Sequence, residues 1–382
     1  MQISRETIRS LTQSENLEQL DIAQLYEFFR QEKGLNKFVP DGIARTDPRD
    51  GAVILYNSAR AKRPHGYHKP ESGPGKQKAC PVCEGNTTGV IDVAELSDGA
   101  TFINKNLFPM LYPGNEDKMP HVPGPFYTNA DPGNAPANGL HLLQWTSSHH
   151  DKDWHNMPLD DCLVVMKRLA ALEGKLLRGT TPKTNSKAQD TEAQKRDYSG
   201  YVGIIKNYGP LVGGSLPHGH QQIAFSNVMP RRFLENQRFE KVFGQKVTAF
   251  LLEQNPEELV IKDYGKAVLL VPYFMRRPYA SMLVVKDTSK AYLHELSPEE
   301  LKDITRGWCD AITAMLSIMP EIGREPAYNI VTHNGPGAGL YFEFLPYTQE
   351  TGGYEHMGLW ICQNTPETAA ETLREACRAT GG

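Results

Sequence analysis

Two short clusters in this chain carry residue types that do chemistry at neutral pH. The first, Cys80-Pro81-Val82-Cys83, sets two thiols three positions apart. On a turn, two such sulfurs reach one tetrahedral Zn2+. The same spacing fits a redox dithiol or two unligated thiols. A redox pair is expected at a helix start near a βαβ unit, whereas the residues that follow, 84–89, read as a loop. No second Cys-x-x-Cys occurs, so any completing metal ligands must be histidines or carboxylates.

The second cluster is His218-Gly219-His220-Gln221-Gln222, preceded by the glycine-rich run from Asn207 to Pro217. Glycines ending at a short strand can present backbone N–H groups to a phosphate. Histidines spaced by one fall on the same side of a regular strand, and Pro217 and Gly219 leave freedom to aim the two rings apart. Neutral imidazole exists at pH 7 without strong activation, so a histidine here suits attack on phosphorus, and its N–P adduct can pass the group on.

The elements that must position these residues show a two-fold echo. Strand 141–147, helix 157–177, strand 201–207, an Asn-x-Gly-Pro turn and strand 218–225 make the first copy. Strand 280–287, helix 296–319, strand 327–337 with its Asn-Gly-Pro turn, and strand 339–346 make the second. The second helix opens on Ser297 with Glu300 three residues on, a capping box. Two such units predict a duplicated α+β body with mainly antiparallel sheet. Ahead of them, spacing predicts a helix over 5–33 and a short strand over 51–57. Residues 64–87 are rich in Gly and Pro and need something other than a core to hold them. Residues 180–197 read as a polar, exposed insertion.

Composition narrows the class. The chain has 382 residues, Lys+Arg 41 against Asp+Glu 45, and a net charge of −4. That balance argues against a dedicated nucleic-acid binder. No stretch approaches 18 apolar residues, so no membrane helix is expected. The first residues lack the apolar core of a secretory signal, and six cysteines in so long a chain make no disulfide scaffold. Cytoplasm is the expected compartment.

The pattern Asn-x-Gly-x-x-x-Gly-x-Ser-x-Pro-His-x-His-x-Gln, from Asn207 to Gln222, resembles the active-site segment of the superfamily of galactose-1-phosphate uridylyltransferases, ADP-glucose phosphorylases and dinucleoside tetraphosphate phosphorylases. Four further segments are similar to it in order: Asn57 to Pro64 with Arg60 and Arg63; Cys80 to Cys83 with Asn106-Leu107-Phe108-Pro109; His149 to Trp154 before a helix; and Gly352 to Arg374. Together they span roughly 45–376.

The resemblance implies a fold of duplicated histidine-triad-like domains with flanking helices: a helical extension over 1–44, a first half over 45–230 and a second over 231–382. It implies one structural Zn2+ on Cys80, Cys83, His150 and His218, with His149 the competing ligand. His220 is then the nucleophile on the α-phosphorus of a nucleoside diphosphate sugar. Gln222 stands where histidine-triad hydrolases carry a third His; a carboxamide is neither acid nor base at neutral pH, which favours transfer to a sugar-1-phosphate or to inorganic phosphate over hydrolysis. Ser215 and the backbone of Gly213 and Gly214 are expected on non-bridging oxygens, Asn207, Arg60 and Arg63 on phosphates, Asn106 in the nucleotide pocket and Glu355 on the sugar or acceptor. A homodimer is expected. Tyr341 and Glu343 stand where some relatives carry a C-terminal His-x-His metal pair, so that second site is expected to be absent. A phosphorylase, and a catalytically dead zinc-stabilised binding protein, are the alternatives.

Overall fold

The structure, a computed structural model, describes residues 1–14, 16–47, 49–62, 80–114, 135–178 and 200–380. Arg63 and the expected insertion over 180–197 lie outside them, as does most of the Gly/Pro-rich stretch.

Among the described residues, ten strands form one sheet. In chain order they are β3 (Val90–Glu95), β4 (Ala100–Lys105), β6 (Gly139–Trp145), β7 (Tyr201–Tyr208), β8 (His220–Ser226), β9 (Val260–Asp263), β10 (Ala267–Leu270), β11 (Ser281–Val285), β12 (Tyr328–His333) and β13 (Tyr341–Pro346). The spatial order is β3-β4-β6-β8-β7-β12-β13-β11-β10-β9, and every pairing is antiparallel. Read from either edge to the β7–β12 seam, the five strands follow the same sequence: first, second, third, fifth, fourth. A long helix lies between the third and fourth strands of each half, α3 (Leu159–Arg178) in one and α6 (Pro298–Glu321) in the other. A separate three-stranded sheet joins β1 (Ile43–Thr46), β2 (Val53–Tyr56) and β5 (Ala135–Pro136).

Alternation gives the large sheet two faces. Leu140 and Leu142 of β6, Ile223 and Phe225 of β8, and Phe342 and Phe344 of β13 are buried in one core with α3, α6 and α8 (Pro366–Thr380). Trp154, before α3, meets Trp308 of α6 at 5.5 Å between ring centroids, and Trp308 packs edge-on to Phe342 and Phe344. The two halves thus share this core. The opposite face carries the cavities. Ser297 and Glu300 form the expected capping box at the start of α6.

The predicted helix over 5–33 is two helices, α1 (Arg5–Leu11) and α2 (Ile22–Gln31), with a 3-10 turn at Leu17–Gln19 between them. The break has a local cause. Asn16 accepts from the Glu18 N–H, and Asp21 and Gln24 form a capping box that starts α2 afresh. The segment is also bound into the first half. The Ile3 N–H donates to Ser148 O, and the His150 N–H donates to Met1 O. Ile3 and Ile8 are buried with Cys80, Val82 and Trp145.

Among the described residues, no helix is long and apolar enough to cross a membrane. Arg168 of α3 ties three elements together. It bonds both oxygens of Asp92 on β3, whose side chain is 1% exposed, and both oxygens of Glu18. Removing one partner of a buried pair strands the other charge. Arg168→Met is therefore expected to lower stability by about 3 kcal/mol or more, read as a fall in the urea midpoint; adding Asp92→Asn should recover part of the loss.

Candidate active site

The Cys80–Cys83 turn packs against two histidines from distant parts of the chain. Cys83 Sγ lies 3.6 Å from both His150 Nδ1 and His218 Nδ1, and Cys80 Sγ lies 3.8 Å from His218 Nδ1. All four ligand atoms fall within 4.8 Å of one another. Bonds of about 2.3 Å to sulfur and about 2.0 Å to nitrogen at a tetrahedral angle put ligand atoms roughly 3.5 Å apart, so the set fits a divalent metal. Its donor chemistry agrees. Burial and the neighbouring Cys80 push the Cys83 thiol up to about 12, so without a cation this thiol stays protonated, where a cation would favour its thiolate. His218 Nε2 donates to Ser147 O at 2.8 Å, which leaves Nδ1 as the ligating nitrogen. His149, the competing ligand, points away and pairs with Asp98 at 3.0 Å.

Strand β8 begins at His220, so His218 and Gly219 lie before its regular pleat. The His220 ring is 5% exposed, and its Nδ1–H donates to His218 O at 2.8 Å. That bond leaves the Nε2 lone pair available. His220 lines a cavity of about 260 Å3 together with Asn106, Ser215, Gln222, Leu216 and Trp145. Gln221, between His220 and Gln222, points the other way. Its amide oxygen accepts from Trp154 Nε1 and Thr146 Oγ1, and its NH2 donates to Gln144 Oε1.

Gln222 is oriented by a residue that the motif reading passed over. The Met110 N–H donates to His141 Nδ1 at 3.0 Å, so His141 carries its proton on Nε2, 3.2 Å from Gln222 Oε1. The Gln222 NH2 is then the end available to a phosphate oxygen. Sequence reading saw His141 only as the first residue of a strand.

A buried ion pair lies behind His220. Lys206 Nζ is 2.6 Å from Asp153 Oδ2, with side chains 1% and 6% exposed, and Lys206 also donates to His220 O at 3.4 Å. Burial opposes ionisation of Asp153, but Lys206 outweighs it and holds the carboxyl below its usual range. Gly219 is required here: a Cβ would sit 2.6 Å from Asp153 Cγ.

The remaining expected residues fall less simply. Gly213 ends a 3-10 turn over Pro210–Val212 in the left-handed region, φ 84°. The N–H groups of Gly213 and Gly214 donate within the loop, to Pro210 O and Gly209 O. Asn207 Oδ1 accepts from Asn329 Nδ2 at 2.7 Å across the seam; Asn329 is a second residue the motif reading missed. Arg60 sits half-buried in the turn Ser58–Lys62, with no carboxylate partner among the described residues, and burial pushes its pKa down. Glu355 does not line the His220 cavity; its carboxylate accepts from the N–H groups of Gly352 and Ile361. In place of the C-terminal metal pair, Glu343 Oε2 lies 2.6 Å from His333 Nε2, and Tyr341 stacks on His333.

No protein-family model matches the chain. Among known proteins it is 22% identical to ADP-glucose phosphorylase of Arabidopsis thaliana over 355 residues, covering 87% of this chain and 92% of that one. It is 26% identical to galactose-1-phosphate uridylyltransferase of Thermotoga maritima, covering 87% and 97%, and 26% identical to that of Rattus norvegicus, covering 86% of each. A solved uridylyltransferase structure superposes with a TM-score of 0.65 at 20% identity, covering 88% of this chain and 99% of the other. The Arabidopsis thaliana ADP-glucose phosphorylase with bound ADP-glucose gives 0.60 at 18% identity, covering 87% and 97%. In sequence and in fold, the chain resembles the galactose-1-phosphate uridylyltransferase and ADP-glucose phosphorylase superfamily.

Burial, partly opposed by the bonds to Ser147 and His218, pushes His218 and His220 each down to about 4. In the unfolded chain both return to about 6.5. Between those values the unfolded state binds protons that the native state does not, so stability falls as pH drops from about 6.5 toward 4. Urea midpoints of metal-free protein should decline over that window, and His218→Asn with His220→Asn should flatten the decline.

Proposed function

We propose that this protein is a nucleotidyltransferase that works on nucleoside diphosphate sugars through a nucleotidyl-His220 intermediate. The observation that carries the reading is the His220 ring itself. Its Nδ1–H is held by His218 O, and it borders a cavity shared with Asn106, Ser215 and Gln222.

His220 Nε2 attacks the α-phosphorus. The N–P bond forms as the bond to the bridging oxygen breaks, and the sugar leaves as its 1-phosphate. The Nδ1 proton stays on the ring, bonded to His218 O, and the positive charge that develops on the imidazole is met by that carbonyl. A phosphate leaving group has a low pKa and needs no proton, so the neutral Gln222 amide serves as a hydrogen-bond donor to a non-bridging oxygen and Ser215 as another. A second phosphate-bearing acceptor then attacks the same phosphorus and frees His220, giving ping-pong kinetics. Arg60 and Arg63 neutralise the phosphates, Asn106 and Asn207 shape the nucleotide and phosphate pocket, Glu355 meets the sugar or acceptor, and the protein is a homodimer. Cys80, Cys83, His150 and His218 hold one structural Zn2+, whose chemistry is to crosslink the 80–83 turn to the segment entering β8. The two halves, 45–230 and 231–382, are duplicated histidine-triad-like domains, and the enzyme is cytoplasmic.

The acceptor is a hexose-1-phosphate. The similarity to ADP-glucose phosphorylase favours one rival, in which inorganic phosphate takes that place.

Incubation with UDP-glucose and ADP-glucose, each labelled in the α-phosphate, should leave covalent label on the protein. Galactose-1-phosphate should discharge it; discharge by inorganic phosphate alone would select the phosphorylase. His220→Gly should take no label and lose roughly 10^4-fold or more in turnover. If neither nucleotide labels the protein and His220→Gly stays active, the mechanism is wrong, and a zinc-stabilised binding protein becomes the better reading. Elemental analysis should find about one zinc per chain, and Cys83→Ser should reduce it and lower the melting temperature. A zinc content near zero in the unsubstituted protein would remove the metal assignment.

A further inference from the structure

The second half carries a cavity of about 530 Å3 on the same sheet face, which the transfer reaction does not use. Its position in the sheet register matches that of the His220 cavity. In the first half, His220 and Gln222 of β8 pair with Trp145 and Leu143 of β6. In the second, Tyr341 and Glu343 of β13 pair with Val284 and Met282 of β11. Tyr341 and Glu343 thus stand at the places of His220 and Gln222, and both line the second cavity.

Its polar groups are arranged for something the chain does not itself provide. Asn236, which lines the cavity, is buried, and its Nδ2 has no hydrogen-bond partner among the described residues. Buried polar atoms are normally satisfied, and a ligand in the cavity would offer this amide a partner. Arg276 and Arg277 line it without a carboxylate partner among the described residues, whereas Arg232 is paired with Glu235 and Glu343 with His333. One part of the wall is aromatic: Phe239, Phe243 and Phe250 contact one another at 4.4 to 5.7 Å between centroids. Trp360, 38% exposed, lies against Arg276 at 5.7 Å.

We propose that this cavity is a second, non-covalent binding site for a nucleoside phosphate. The two arginine forks take the phosphates, the aromatic wall takes the base by stacking, and Asn236 bonds a polar edge of the base or ribose. Tyr341 presents a neutral phenol where the first half has an imidazole, so the nucleotide leaves unchanged. The site does not depend on what His220 does.

Equilibrium dialysis of the full chain against radiolabelled ADP and UDP tests this. Arg276→Ala with Arg277→Ala should bind one nucleotide per chain fewer than the unsubstituted protein, with covalent labelling of His220 retained. Phe243→Ala, which removes exposed aromatic wall without removing charge, should weaken the same site at least tenfold, and keeps the test alive if the double variant fails to fold. Equal binding by all three proteins overturns the proposal. So does a dimer that buries Trp360 and binds no nucleotide sensitive to Arg276 and Arg277, because the occupant of this face is then a second copy of the chain. Failure of His220 labelling with the stoichiometric difference intact would overturn the transfer reaction and leave this site standing.

Discussion

His218 acts through both ends of the residue, and the site depends on that. Its ring turns Nδ1 toward Cys80 and Cys83, while its carbonyl oxygen holds Nδ1 of His220. In a regular strand the two rings would share one side. They diverge here because β8 becomes regular only at His220. The Ser147 carbonyl fixes the His218 ring from behind, so whatever sets His218 also sets the tautomer of His220. A metal on the four-residue set would therefore stiffen the His220 side chain through one peptide unit, without touching it.

The same strand is anchored on its other face by polar contacts. Gln221 ties β8 to Gln144, Thr146 and Trp154, and Lys206 and Asp153 form a buried pair behind His220. Buried polar networks are favourable only when their members are satisfied. The arrangement resists displacement of β8, since a slip by one residue would exchange Gln221 with a cavity-facing neighbour and leave this network unpaired. A mobile histidine would lose most of the advantage of a positioned nucleophile.

The residues that act through side-chain type at fixed spacing were legible in the sequence. The Cys-x-x-Cys turn, the His-x-His segment and the capping box of α6 each depend on a local pattern, and the structure brings the two thiols together with His150 and His218. Long helices and strands have expected ends up to four residues from the observed ones, because periodicity marks a core face but not its last turn. Contacts made across the chain were not legible. His141 reads as an ordinary strand residue until the Met110 N–H fixes its tautomer, and Asn329 matters only through Asn207 in the adjacent strand. The hairpin of β3 and β4 escaped notice because β4 is buried along its whole length and shows no alternation. The break between α1 and α2 came from caps, Asn16 and Asp21, inside a sequence whose apolar spacing continues through them.

The two halves share strand order, helix placement and register, yet they differ in chemistry, so architecture alone does not explain the site. The difference lies in what is added to the first half. The 80–83 turn brings two thiols to one end of β8, and residues 1–12 close over that turn, with Ile3 and Ile8 buried beside Cys80 and Val82. Among the described residues, no such cover lies on the equivalent end of β13; helices α4 (Arg231–Phe243) and α5 (Val247–Gln254) contribute to its cavity wall instead. At the two aligned positions the first half has His220 and Gln222, an imidazole and a neutral amide, and the second has Tyr341 and Glu343, a neutral phenol and an acid paired with His333. An anionic phosphate approaching Glu343 meets a negative group already tied to an imidazole, so attraction on that side has to come from Arg276 and Arg277. One fold thus sets two of its cavities at matching places: the first is bordered by the His220 imidazole, and the second has arginines and aromatic rings, with the Tyr341 phenol at the imidazole's place.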